Sequence, residues 1–366
     1  MYITKIGLTD FRNYRTFDLE PRRELTVLVG PNAAGKTNII EAVEIVATGR
    51  SFRNPQWAEV VRWGSSSTSL SMKAEGASSH ADVLLSIDGA GVRSWRSSGV
   101  VKRRQVDATR FVPVVIFTPD DLTLIKGSAE RRRTAIDLLG DQLSVTYASL
   151  RREYARVVRQ RNAALKSGAD SRLIAPWDEQ LVALGARLHI HRRRLVERVA
   201  QAAIATYGHL AAGEQLKMVL DDRCGVGAEC PTDDLTQESV SSALQRELER
   251  KRGDERARSV SLVGPHRDDI VFTIDGRSAR SYASQGQQRT IALAWKIAEV
   301  TVVRELLGKT PVLLLDDVMS ELDSARRHAL TDLVQQDVQT FMTTTNTGYF
   351  EPALLDSALV VRVGVE

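Results

Sequence analysis

Long apolar runs are missing from this 366-residue chain: clean ones such as Val312 to Leu315 fall far short of the roughly 18 residues a membrane span needs. A charged head followed by an apolar signal core is missing too, since the chain opens Met1-Tyr2-Ile3-Thr4-Lys5, so secretion is not expected. Cysteine is scarce. Cys224 and Cys230 cannot build a disulfide framework, and one pair does not make a four-ligand zinc site. Charge of one sign is not in large excess either: 50 Lys and Arg against 46 Asp and Glu leave +4, compatible with a phosphate-bearing partner without demanding one. These absences exclude secreted, fibrous and integral-membrane classes and leave the expectation of a soluble cytoplasmic protein. What is present is 43% hydrophobic and 26% charged residues, enough for a substantial core. At roughly 150 residues per domain, the length predicts two domains, or one large domain with an insertion.

The patterning begins in a β-then-α sense. Ile3, Ile6 and Leu8 predict a first strand and Leu25 to Val29 a short buried one. A Gly-rich turn leads into Thr37 to Ala47, where apolar residues at 39, 40, 43 and 46 have helical spacing. Thr68 to Met72, Asp82 to Ile87 and Val114 to Phe117 read as short strands, and the Asp88-Gly89 break suggests an antiparallel subsheet. From about residue 121 the texture turns helical, with apolar stripes at 147, 150, 154, 157, 158 and 165 and at 177, 181, 184, 188 and 195. Residues 221 to 238 read as a loop. The β/α sense then returns, with a strand at 270 to 274, a helix at 285 to 306, a strand at 311 to 316, a helix at 322 to 335 and a last strand at 339 to 343. The predicted architecture is a discontinuous α/β head, residues 1–118 and 256–366, interrupted by a helical second lobe at 119–255.

Three motifs carry chemistry. Gly30-Pro31-Asn32-Ala33-Ala34-Gly35-Lys36-Thr37 fits G-x-x-x-x-G-K-[ST] between a predicted strand and a predicted helix. Gly30 and Gly35 let the backbone turn its N–H groups inward, and the helix N-terminus adds partial positive charge. Lys36 would neutralise the β- and γ-phosphates of ATP, and Thr37 would ligate Mg²⁺. Pro311 to Asp317 is an apolar strand ending in paired acids: Asp316 would sit beside Mg²⁺, and Asp317 could polarise a water. Ser284-Gln285-Gly286-Gln287-Gln288 opens a helix, where Ser284, the Gly286 N–H and the helix dipole could hold a γ-phosphate. One chain folded as a parallel sheet does not easily wrap both ends around one nucleotide. Two chains facing head to tail can do so twice, which predicts an ATP-dependent homodimer.

Together these are the motifs of an ABC-type P-loop ATPase head: α/β, with a mixed sheet and an antiparallel subsheet. Asp10 to Tyr14, Gly49 to Arg53, Gly264 to Asp269, Ala283 to Thr290, Leu315 to Asp323 and the helical segments Tyr154 to Asn162 and Trp177 to Leu181 make the chain resemble the RecF family of bacterial recombination proteins, from residue 1 to about 350. The resemblance implies a DNA-binding, weak, DNA-dependent ATPase that uses ATP as a dimerisation switch. It further implies a part in recombinational repair, replication-fork maintenance and the SOS response, loading recombinase at gaps with RecO and RecR. By the same resemblance Arg12 would contact phosphates, Asn32, Asn38 and Gln287 would line the nucleotide site, and Asp323 would reach the opposite protomer. Asp317, where many cassette ATPases have Glu, and Thr343-Thr344-Thr345, where they often have His, imply slow turnover. No Gln stands near Thr118 to Asp121 to position water.

Residues 151–200 hold twelve Lys and Arg against five acids, a local +7 that leaves −3 for the rest. Arg152, Arg156, Arg159 and Lys166, the run Arg192-Arg193-Arg194, and the smaller groups Arg103-Arg104 and Arg131-Arg132-Arg133 are therefore candidates for DNA. With aromatics only 5% and not interleaved with these runs, duplex phosphate contacts fit better than base stacking. Two other readings compete. A transporter ATPase subunit carries its signature much nearer the phosphate loop than the 248 residues separating Lys36 from Ser284. A chromosome-organising ATPase needs longer coiled-coil arms than this insertion provides.

Overall fold

The computed structural model describes residues 1–76, 79–102, 111–227, 234–350 and 352–364. In chain order, β1 (Tyr2–Phe11), β2 (Tyr14–Leu19) and β3 (Leu25–Val29) lead into α1 (Lys36–Thr48). Then come β4 (Ser67–Glu75), β5 (His80–Asp88), β6 (Arg93–Ser97), β7 (Val100–Lys102) and β8 (Val114–Phe117). Helices α2 (Ala129–Leu143), α3 (Val145–Lys166) and α4 (Ser171–Leu210) follow, and after them β9 (Leu216–Asp221) and α5 (Gln237–Arg258). Next are β10 (Asp269–Ile274), β11 (Arg277–Ser278), α6 (Ala279–Tyr282) and α7 (Gln285–Leu307). The chain finishes with β12 (Val312–Asp316), α8 (Ser324–Val334), β13 (Thr340–Thr344), α9 (Pro352–Ser357) and β14 (Leu359–Arg362). No helix among the described residues is long and apolar enough to cross a membrane.

The chain forms two compact units: 1–122 with 299–366, and 123–298. In the first, a parallel sheet of order β14-β3-β13-β12-β8 and an antiparallel sheet of order β2-β1-β4-β5-β6-β7 share one core with α1. Every residue of β12 is buried, the continuous pattern of a central parallel strand. On α1, Ile39 to Ala47 are buried all round, so this helix meets apolar surface on both sides. Leu70 and Val83 from the antiparallel sheet and Leu314 and Phe341 from the parallel one belong to the same cluster.

In the second unit the predicted stripes face one another: Tyr147, Leu150, Tyr154 and Val157 of α3 pack with Leu181, Val182 and Leu188 of α4 and with Val240, Leu244 and Leu248 of α5. Gly185 allows the close approach, for a Cβ there would meet the Tyr154 ring at 3.2 Å. The sequence places the return to the head at residue 256, whereas the compact units divide between Ala298 and Glu299. The cause is β10, which hydrogen-bonds along β9, together with Phe272, whose ring lies 5.8 Å from that of Trp295 on α7. Residues 256–298, including the Ser284 segment, therefore belong with the helical unit.

Candidate nucleotide site

Strands β3, β12 and β13 run parallel, and their carboxyl ends carry the site, as open α/β sheets generally arrange it. The loop from Gly30 to Gly35 leaves β3 and enters α1. Gly35 adopts φ +105°, closed to most side chains, and a Cβ at Gly30 would lie 2.2 Å from the Val363 carbonyl oxygen. Lys36 is buried and donates to the carbonyls of Gly30 (2.7 Å) and Pro31 (2.8 Å), holding its ammonium under the loop. Asn32 is exposed at the loop apex.

Beneath the loop, residues far apart in sequence converge. The Thr37 hydroxyl donates to Asp316 Oδ1 at 2.8 Å, and the Thr343 hydroxyl donates to the same oxygen at 2.8 Å. Thr343 Oγ1 also accepts from the Asp317 N–H at 2.8 Å. Asp317 adopts φ +52°, an uncommon left-handed conformation, and its Oδ1 is buried without a hydrogen-bond partner among the described residues. Burial and the neighbouring Asp316 charge hold its carboxyl above the usual carboxylate range. That direction suits a group asked to accept a proton.

A second cluster gathers around Glu41 of α1. Glu41, wholly buried, accepts from Arg12 Nε (3.0 Å) and Nη2 (2.7 Å), from Ser51 Oγ (2.6 Å) and from Arg53 Nη1 (3.3 Å). Arg12 also donates to the Glu59 carbonyl, so three of its five N–H groups hold the guanidinium in place within the protein. Asn38 links this cluster to the loop: it donates to Asn13 (2.8 Å) and accepts from Arg53 (2.7 Å), while Asn13 donates to the Ala34 carbonyl (3.2 Å). The Tyr14 hydroxyl is buried with no hydrogen-bond partner among the described residues, and burial pushes it up to about 12.

Sequence reasoning missed Glu41, which lies off the helical stripe; Thr343 stood out only as one of three threonines where a His is common, and strand register is what brings it to Asp316. Of the threonines at the end of β13, Thr344 bonds the turn at Asn346 and Thr345 is exposed. Thr118 is tied to Asp121 through its N–H (2.8 Å) and hydroxyl (3.0 Å). Asp323 caps α8, accepting from the Arg326 N–H at 3.0 Å.

In the second unit, Ser284 and Gln287 cap the start of α7 reciprocally. The Ser284 N–H donates to Gln287 Oε1 (2.8 Å), and the Gln287 N–H donates to Ser284 Oγ (3.2 Å). Ser284 is exposed and Gly286 half-buried, so this helix end faces solvent within its unit.

The basic candidates divide sharply. Arg152, Arg156, Arg159 and Arg194 are exposed. Arg192 and Arg193 are 2% and 3% exposed, which corrects their assignment to DNA. Arg192 donates to both oxygens of Asp137 (3.1 and 3.0 Å), and Arg193 donates to the Gly227 carbonyl (2.9 Å). Arg132 is likewise buried, forked onto Asp269 at 2.7 and 2.9 Å. A run of three arginines on a helix must turn some of them inward, and here buried carboxylates meet them. Arg103-Arg104 lies outside the described residues.

Comparison with known proteins agrees with this geometry. Residues 2–364 match the family model described as the RecF/RecN/SMC N terminal domain. A DNA replication and repair protein RecF from Symbiobacterium thermophilum is 40% identical over 348 residues, 94% of this chain and 92% of that protein. A solved structure of the recombination mediator protein RecF with an ATP analogue superposes with a TM-score of 0.88 at 28% identity, covering 96% of this chain and 94% of that one. An Smc head bound to the C-terminal winged-helix domain of ScpA shares the fold, with a TM-score of 0.58 at 15% identity over all of this chain and 95% of that one.

Proposed function

This chain belongs to the RecF/RecN/SMC family, within its RecF branch, and on that footing we propose that it is an ATP-switched DNA-binding mediator of recombinational repair and replication-fork maintenance. A role in DNA repair and replication and an ATP-binding head are what it shares with its relatives. The finer reading is an ATP-dependent homodimer that closes on duplex or gapped DNA, opens on slow hydrolysis, and aids recombinase loading with RecO and RecR.

One observation carries this reading. Thr37, Asp316 and Thr343 converge under the phosphate loop, with the raised carboxyl of Asp317 beside them. Adjacent hydroxyl and carboxylate oxygens are the hard donors that Mg²⁺ takes, with water completing its shell, so Thr37 and Asp316 fit that ion. When bound, Mg²⁺ would neutralise charge on the transferred phosphate. Thr343 orients Asp316, Lys36 supplies positive charge under the loop, and Asp317 accepts a proton from water. Glu41 holds Arg12 and Arg53 in place beside the loop. The exposed start of α7, with Ser284 and Gly286, is the end a second protomer would present to the nucleotide. DNA contacts would come from Arg152, Arg156 and Arg159 on one face of α3 and from Arg194.

The test is sedimentation with and without ATP. Wild type should shift to a dimer only with ATP, Lys36→Met should stay monomeric, and Ser284→Arg should bind ATP yet stay monomeric. A Lys36→Met protein that still dimerises with ATP would defeat the model.

A further inference from the structure

Far in sequence from the nucleotide motifs, the second unit holds a buried trio: His189 on α4, Cys224 in the turn after β9, and Asp268 just before β10. All three are 0% exposed, and one ligand atom from each lies within 4.8 Å of the others. Neither ring nitrogen of His189 has a hydrogen-bond partner among the described residues. A buried polar atom left unpaired is costly, so a native site with such an atom calls for an occupant. Nδ1 of His189 stands 3.9 Å from Asp268 Oδ2, too far for a hydrogen bond. A zinc-like ion bonds nitrogen and carboxylate oxygen at about 2.0–2.2 Å each, so a single ion can bridge that gap with a small closure.

We propose that His189, Cys224 and Asp268 form a structural site for a borderline-soft divalent cation of the zinc class. The donor set selects it: thiolate and imidazole favour zinc over the hard cations that suit Thr37 and Asp316. Charge agrees as well, because a neutral imidazole, a thiolate and a carboxylate sum to −2 and balance a divalent ion. The nearby cation Arg192, which donates to Asp268 Oδ2 at 3.3 Å, is already balanced by its fork onto Asp137. Asp268 is held in place by the Arg223 N–H on Oδ1 (2.8 Å), and the Cys224 turn by Asp222, which accepts from the N–H groups of Cys224 (3.0 Å) and Val226 (3.2 Å). On binding, the ion would take the place of the Cys224 thiol proton, which leaves to solvent. Three protein donors leave a fourth position for water. Spacings of 35 and 44 residues between the ligands resemble no metal motif, which is why the sequence hides the site. The ion would staple α4 to the segments flanking β9 and β10.

Cobalt(II) titration of the full chain tests this, since a thiolate ligand gives an intense charge-transfer absorption that the oxygen donors at Thr37 and Asp316 cannot produce. One equivalent should develop that band, and zinc should abolish it. Cys224→Ser should lose the band and Cys230→Ser should keep it. His189→Leu, an apolar replacement that removes the orphaned nitrogens and keeps the fold by circular dichroism, should weaken binding by at least tenfold. Folded wild type without the band, a band that depends on Cys230, or a His189→Leu variant that binds cobalt as wild type does would each overturn the assignment.

Discussion

The nucleotide end and the helical unit treat buried charge in opposite ways. At the carboxyl ends of β3, β12 and β13, charged groups are left under-satisfied: Lys36 rests on two carbonyls, and Asp317 keeps a buried oxygen without a partner among the described residues. In the helical unit, buried cations meet carboxylates with near-ideal geometry. Arg161 donates to Asp178 (2.7 Å), Glu255 (2.6 Å) and Ser261 (2.8 Å), and Arg132 forks onto Asp269. Saturated charge has no capacity left for a ligand and acts as scaffold; unsaturated charge retained in a fold marks where something else binds. His189 is the exception within the helical unit: its ring nitrogens are buried without partners among the described residues.

Four experiments can break or sharpen this contrast. Asp317→Asn should reduce ATP turnover by about 10²–10⁴-fold in single-turnover assays while ATP binding persists, the usual contribution of a positioned base. Since the Asp317 pKa is raised, its basic form appears only as pH climbs above the ordinary carboxylate range, and the acid limb of wild-type turnover should lie correspondingly high. Arg192→Leu strands Asp137 and Asp268 and should cost about 3–5 kcal/mol in denaturant unfolding. The exposed neighbour Arg194→Ala should leave the unfolding midpoint unchanged.

A smaller effect follows from His266, whose pKa burial lowers to about 4. The unfolded chain binds a proton near the usual 6.5 and the folded chain only near 4, so stability is full above about 6.5 and is lost as pH drops toward 4. The loss should reach about 3 kcal/mol, and His266→Gln should flatten it. Smallest per residue is the DNA face. Replacing Arg152, Arg156 and Arg159 together by Ala should lower the salt slope of duplex binding by about 3, one for each phosphate contact.

The nucleotide end was legible because its determinants are local. A glycine-rich loop between an apolar strand and a helical stripe identifies itself within a few residues, and so does a buried strand ending in Asp316-Asp317. Other features depended on partners distant in the chain. The strand β14 was not foreseen, since Leu359 to Arg362 acquires its identity by pairing with β3, and the following Val363 closes the space at Gly30. Thr343 reaches Asp316 only through the register of β12 and β13.

The same division runs through the basic residues behind the net charge of +4. By itself the sequence determined the phosphate loop, the paired acids, the capped start at Ser284 and the alternation of strand and helix, because each is set by backbone conformation and period over a short span. Only the tertiary structure decided that Arg192 and Arg193 are scaffold while Arg194 is surface, that Glu41 holds Arg12, and that His189, Cys224 and Asp268 share one buried point. Burial and charge pairing are properties of surfaces that meet after the chain has folded, and a one-dimensional pattern does not carry them.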